Sequence, residues 1–272
     1  MLSRRKFLTI AGLSVSGFMV DGLIIEPGLM VSRSKISIKV GESLNLDNFR
    51  IAHISDTHFG FYSFETIYDR VLSTVKGIRP DIIAYTGDLI SRKESTEDAL
   101  KFVERLSRTS PVFIVWGNWD HYKLESKLNT FKEELESAGE VVVLTNEGVE
   151  LERGERVYMI GVDDPFTGRD RLDAALPADK GLKILLAHSP QIIDSAEGRV
   201  DVVLSGHTHG GQVVLPFIGP VYIPLPEKYK KYAAGVYKIR GTVLYVNRGI
   251  GMSFLPMRFM CPPEVAEIDL YS

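Results

Sequence analysis

Five short β-rich apolar runs in this chain each give way, at once or within two residues, to a carboxylate, an amide or an imidazole. Ile51–Ser55 leads into Asp56-Thr57-His58, Asp81–Thr86 into Gly87-Asp88, and Val112–Val115 into Gly117-Asn118. Lys183–Ala187 leads into His188, and Asp201–Leu204 into Gly206-His207-Thr208-His209. Side chains two apart leave a strand on the same side, so Asp56 pairs with His58 and His207 with His209. Gly87 allows a sharp turn that presents Asp88. Each motif alone reads as a turn, a cap or a satisfied core histidine. Together they require a fold that brings five strand ends to one rim.

Four further runs have strand character: Val141–Leu144, Val157–Val162, Val243–Val246 and Val265–Leu270. Helical periodicity appears over Phe64–Ile78, Thr96–Ser107 and Leu124–Ala138, with Ser63, Ser95 and Lys123 near the starts. Strand-helix alternation early and strand-rich sequence late predict an α/β (α+β) fold of two packed mixed β-sheets flanked by helices, rather than one doubly wound sheet. With 272 residues, 44% of them hydrophobic, the chain can bury a full core.

A net charge of -3 leaves no basic excess for a polyanionic backbone, so nucleic acid is not an expected partner. Cys261 is the only cysteine, so any metal set is built without thiolates and the thiol reads as core filler. Carboxylate oxygens suit bridging, the Asn118 amide is a neutral donor, and imidazoles complete a set suited to manganese, iron or zinc rather than calcium. Manganese is the first choice.

In order, Asp-x-His, Gly-Asp, Gly-Asn, His and Gly-His-x-His resemble the calcineurin-like metallophosphoesterase family, over about Glu26 to Leu270. The resemblance is closest to its bacterial membrane-associated branch of phosphodiesterases and a UDP-2,3-diacylglucosamine pyrophosphatase. Glu26-Pro27, Gly210-Gly211-Gln212, Asn247-Arg248-Gly249-Ile250-Gly251 and Arg258 through Pro262-Pro263-Glu264 carry that finer likeness. It implies a four-layer sandwich and two divalent ions. Asp56, His58, Asp88 and His209 would hold the first ion, and Asp88, Asn118, His188 and His207 the second, with Asp88 as the bridge. Such a pair attracts an anionic substrate and acidifies a bridging water toward hydroxide for in-line attack at phosphorus.

The chain departs from the family where Gly-Asn is usually followed by histidine: here Trp119 stands in that place, with His121 two residues on. His121 is a candidate general acid, with a structural role as the alternative, and Trp119 a pocket-shaping residue. Without an acid, pyrophosphates and aryl diesters would outrank alkyl esters as substrates. Arg248 is a candidate for phosphate binding through its fork, or a brace for its loop. His53, outside the ligand set, reads as a core or neighbouring histidine.

Arg4, Arg5 and Lys6 precede an apolar run from Phe7 to Val20, the layout of an export signal, and Ser3–Leu8 resembles a twin-arginine signal. The run is shorter than the usual span of about 20 residues, and no clear Ala-x-Ala cleavage site follows, so a retained anchor is the alternative. Residues 1–35 are expected to form this segment and its linker, and residues 36–272 the catalytic domain. The extracytoplasmic face is expected for an exported chain and the cytoplasmic face for a simple anchor. The apolar, Pro-containing stretch Val213–Tyr232 reads as a loop that either packs over a sheet edge or meets a lipid. The expected function is hydrolysis of phosphodiester or pyrophosphate bonds in a phosphorylated small molecule or lipid, by a monomer at a membrane surface. A silent binding scaffold, a nuclease and a phosphomonoesterase are the alternatives.

Overall fold

Runs that are apolar without interruption become central strands, because a strand covered on both faces has no polar side to show. The computed structural model describes residues 3–41, 48–60, 62, 64–153 and 155–272; Ser63 and the first two residues of the expected leader lie outside them. The strands are β1 (Ser32–Lys39), β2 (Phe49–Ile54), β3 (Ile82–Thr86), β4 (Val112–Val115), β5 (Val141–Val143), β6 (Glu147–Arg153) and β7 (Glu155–Gly161). There follow β8 (Leu182–Leu186), β9 (Val202–Ser205), the two-residue β10 (Val214–Leu215) and β11 (Gly219–Pro220), β12 (Gly235–Ile239), β13 (Thr242–Val246) and β14 (Glu264–Tyr271).

One six-stranded sheet has the order β1-β14-β2-β3-β4-β5, the other β12-β13-β9-β8-β7-β6, and β10 pairs with β11 in a hairpin. The centres are parallel: β2 through β5 in the first sheet, and β13, β9, β8 and β7 in the second. Their C-terminal ends therefore share a rim. Alternation along β4 sorts the faces, with Val112 and Ile114 turned to the helices and Phe113 and Val115 to the other sheet.

Helices α1 (Arg4–Val20), α2 (Glu26–Leu29), α3 (Glu65–Ile78), α4 (Thr96–Ser107), α5 (Asn118–Leu124) and α6 (Leu128–Ser137) complete the main elements. Val71, Val75 and Ile78 of α3, Phe102 and Leu106 of α4, and Leu135 of α6 pack on the outer face of the first sheet. Short helical turns carrying Leu172, Ile193 and Ala196 cover the second. The result is the expected mixed fold of two packed sheets with helices outside.

Three differences from expectation have physical causes. β1, β6 and β12 are edge strands, and the half-exposed pattern of β1 and β12 lacks a continuous apolar run. The helix expected from Leu124 to Ala138 is α6 alone, starting at Leu128, because a tight turn over Glu125–Lys127, with Glu125 at φ +48°, separates it from the end of α5 at Leu124. A division after residue 35 falls inside β1, which pairs with β14 from Ser32 onward.

Gly161 ends β7 where the sheets press together, and a Cβ there would stand 2.2 Å from Leu144 Cβ and 2.8 Å from Val115 Cγ1. Gly161→Ala should cost roughly 1–3 kcal/mol by overpacking. Gly77→Ala, on open space in α3, should instead add about 0.5–1 kcal/mol. Urea unfolding midpoints that moved the same way for both would contradict this packing.

Candidate metal centre

The five runs end as strands β2, β3, β4, β8 and β9, and the loops that follow are pinned to one another through the backbone. Asp56 N–H donates to Gly87 O and His58 N–H to Asp88 O, both at 3.0 Å, while Gly206 N–H donates to His188 O at 2.9 Å. Asp56, His58, Asp88, His207 and His209 all take left-handed backbone conformations, with φ between 49° and 69°. Non-glycine residues rarely do so, at a cost of about 1–3 kcal/mol each, and such residues cluster at functional sites. Gly117 and Gly206 let the loops close: a Cβ on Gly117 would lie 2.2 Å from Asp88 Oδ1, and one on Gly206 2.2 Å from Asp56 Oδ2.

Two buried groups result. Donor atoms of Asp56, His58 and His209 lie within 4.8 Å of one another, as do those of Asp88, His188 and His207. Asp88 Oδ2 stands between them, 3.4 Å from His58 Nε2 and 3.3 Å from His188 Nε2. Asn118 Oδ1 adjoins the second group, 3.2 Å from His188 Nε2. The structure thus brings together Asp56, His58, Asp88, Asn118, His188, His207 and His209.

The donor chemistry fits divalent cations. Asp56 Oδ1 is buried with no hydrogen-bond partner, and His58 Nε2 faces His209 Nε2 at 3.0 Å. The outward nitrogens of three imidazoles are held by the protein: His188 Nδ1 by Thr86 O, His207 Nε2 by Pro224 O, and His58 Nδ1 by Ser91 Oγ. Such outer bonds set ring orientation and tautomer in metal sites.

Charge in the bare cluster is arranged around His188. Burial pushes Asp56 up to about 7 and pushes His58 and His207 down to about 4 and 3. Burial also works against the charged form of Asp88, but charged His188 and its hydrogen bond outweigh it and hold that carboxyl at about 2. His188 is held well above the usual imidazole range by Asp88 despite its burial. Asp88 and His188 thus favour each other's charged forms, as neighbouring opposite charges do.

The remaining candidates separate. Trp119 donates its N–H to Asp88 Oδ1 at 2.8 Å and sets its ring edge-on to His58 at 5.5 Å, at the mouth of the cluster. His121, one turn along α5 from Asn118, pairs through Nε2 with Asp163 Oδ1 at 2.6 Å. The guanidinium of Arg248 donates to Ser32 Oγ at 2.8 Å and to Glu264 Oε1 at 3.2 Å. These bonds match the bracing alternative for its loop. His53 is a core residue, bonded to Thr86 Oγ1 and lowered by burial to about 3.

Sequence reasoning missed two supports. Asp120 is fully buried and accepts N–H groups from Leu89, Ile90 and Gly117, tying the β3 loop to the β4 loop. Its place two residues after Asn118 was the available signal. Arg258, also fully buried, donates to Gly251 O, Cys261 O and Arg248 O and lies 3.3 Å from His209 Nδ1. The finer family likeness marked the residue, but nothing local in sequence gave it this role.

The sequence profile described as calcineurin-like phosphoesterase matches residues 49–211. The chain is 31% identical to the uncharacterized metallophosphoesterase YkuE of Bacillus subtilis, over 100% of this chain and 98% of YkuE. It is 29% identical to the phosphodiesterase YaeI of Escherichia coli, over 99% of this chain and 100% of YaeI. A transmembrane protein with a metallophosphoesterase domain from Danio rerio is 31% identical over 85% of this chain and 55% of its own length.

Gly117→Ala should displace Asp88 and weaken metal binding by about 10–100-fold while leaving the fold intact, the scale seen for disturbed outer contacts. Metal content after dialysis, beside a circular dichroism spectrum, reads this directly. Full retention of metal would count against the close approach described.

Proposed function

Because the chain belongs to the calcineurin-like phosphoesterase family, we propose that it is a two-metal hydrolase of phosphodiester or pyrophosphate bonds in a lipid- or nucleotide-linked substrate. The observation that carries the proposal is Asp88, whose carboxylate stands between two buried donor groups drawn from separate strand ends. Asp56, His58, Asp88 and His209 would hold one ion, and Asp88, Asn118, His188 and His207 the other. Two such ions supply Lewis-acid charge and an acidified water for attack at phosphorus. Manganese is our first assignment, with iron or zinc compatible with the same imidazole and carboxylate set.

The chain's own residues do the rest. Thr86, Pro224 and Ser91 fix three of the imidazoles, and Asp120 holds the β3 and β4 loops in register. Trp119 walls the mouth of the cluster and excludes water from one side. His121, aligned by Asp163, is the group we assign to protonate a poor leaving group. Arg248 keeps β1 against the loop rather than touching substrate. The N-terminal helix, long and apolar enough for a signal or an anchor, supports a place at the membrane. We assign the helical segment ahead of β1 to a twin-arginine-type signal or anchor that places the domain outside the cytoplasm.

Asp88→Asn should lower kcat/KM for bis(nitrophenyl) phosphate with added manganese by about 10²–10³-fold or more, as for loss of a principal electrostatic stabiliser. It should also reduce bound metal at both sites, and unchanged turnover would sink the reading. His121→Ala should slow an alkyl phosphodiester by about 10²-fold and the nitrophenyl diester far less. Equal slowing of both esters would reject the proton-donor role.

A further inference from the structure

The N-terminal helix and the metal-centre residue His209 meet at one short segment, Met257–Cys261, where Arg258 lies 3.3 Å from His209 Nδ1 and Cys261 Sγ 3.3 Å from His209 O. A Cβ at Gly22 would touch Met257, Gly22 O accepts the Arg258 N–H at 2.8 Å, and Phe18 packs on Phe259 at 4.5 Å between ring centroids. Glu26 then accepts the Cys261 N–H at 3.0 Å. On its other side the same segment carries the β10–β11 hairpin, since Val214 N–H donates to Phe259 O. That hairpin offers Phe217 and Ile218 to solvent at its tip, 110% and 75% exposed, followed by exposed Val221 and Tyr222. Phe254 and Leu255, exposed in the neighbouring loop, face Tyr222 and Pro224 across a cleft that has His209 in its wall.

We infer that the hairpin tip and the Phe254–Leu255 loop dock into a lipid bilayer beside the anchoring helix, so that the metal centre opens at headgroup level. This deepens the phosphoesterase reading and rests on it only for the fate of the substrate. Helix length argues for it. The helix runs unbroken from Arg4 to Leu29, but Gly22 and Glu26, Pro27 and Gly28 are buried against the domain. The stretch left for the bilayer is the 17 residues of α1, a rise of about 26 Å against a hydrocarbon core of roughly 30 Å. With Arg4, Arg5 and Lys6 held among the far headgroups, the near end must sink to the docked turn at Gly22. The domain is thereby drawn onto the membrane by the segment that also bears the hairpin. Exposed aromatic and aliphatic side chains grouped there suit the boundary between headgroups and acyl chains. An open hairpin with nothing packed on Phe217 is costly in water and satisfied in lipid.

The test uses the full chain in phosphatidylcholine–phosphatidylglycerol vesicles, with single cysteines at Phe217, Phe254 or Arg240 labelled with an environment-sensitive nitrobenzoxadiazole. Cys261 is buried and does not compete. Arg240 is the control, because it lies on the β12–β13 turn at the end of the sheet opposite the donors. Blue-shifted emission quenched by doxyl-labelled lipid is expected at 217 and 254 and not at 240. Equal quenching of all three by aqueous iodide would overturn the inference. A Phe217→Asp, Ile218→Asp variant should hydrolyse a vesicle-embedded phosphodiester lipid about tenfold more slowly, with soluble nitrophenyl diester unaffected. Unchanged vesicle turnover would likewise overturn the docking. Absence of soluble turnover in the parent protein would instead remove the phosphoesterase reading and leave the probe result standing.

Discussion

Asp88 lies within 3.4 Å of two imidazoles that belong to different donor groups, and the rest of the site is organised to keep it there. Two carboxylates and four imidazoles are buried together, which is unfavourable unless charge is balanced inside the cluster. In the protein alone His188 supplies that balance for Asp88, and Asp56 lies with its carboxyl near 7. The backbone answers the same demand with left-handed residues at five of the donors. Neither arrangement would persist without the loop-to-loop hydrogen bonds and the buried Asp120 beneath them.

Much of this was legible because the relevant strands are covered on both faces. A buried parallel strand writes an unbroken apolar run, and its end is marked by the first residue that cannot be buried cheaply. The donors from Asp56 to His209 occupy such ends, and they converge in the fold. The edge strands were less visible, since β1 alternates exposed Arg33 and Lys35 with partly buried neighbours and never forms a run. Helix α5 is short and begins at Asn118, a residue more readily read as loop.

Roles set by long-range contacts were the least visible. Asp120 and Arg258 act on groups 30 or more residues away, and no spacing rule encodes such partners. Arg248 stood open between an anion and its own loop, and its guanidinium is bonded to Ser32 and Glu264, partners far away in sequence. Trp119 departs from the expectation the family resemblance sets, since an indole ring stands against His58 where an imidazole was expected to follow Gly-Asn.

The two sheets share the donors unequally but inseparably. Asp56 and His58 come from the first sheet while His209 comes from the second, and Asp88 from the first meets His188 and His207 from the second. An ion seated in either group would thus act as a rivet through both halves of the molecule. A chain only half synthesised has no complete nest to offer, so loading must wait for the two halves to close, and whatever is loaded then resists their parting.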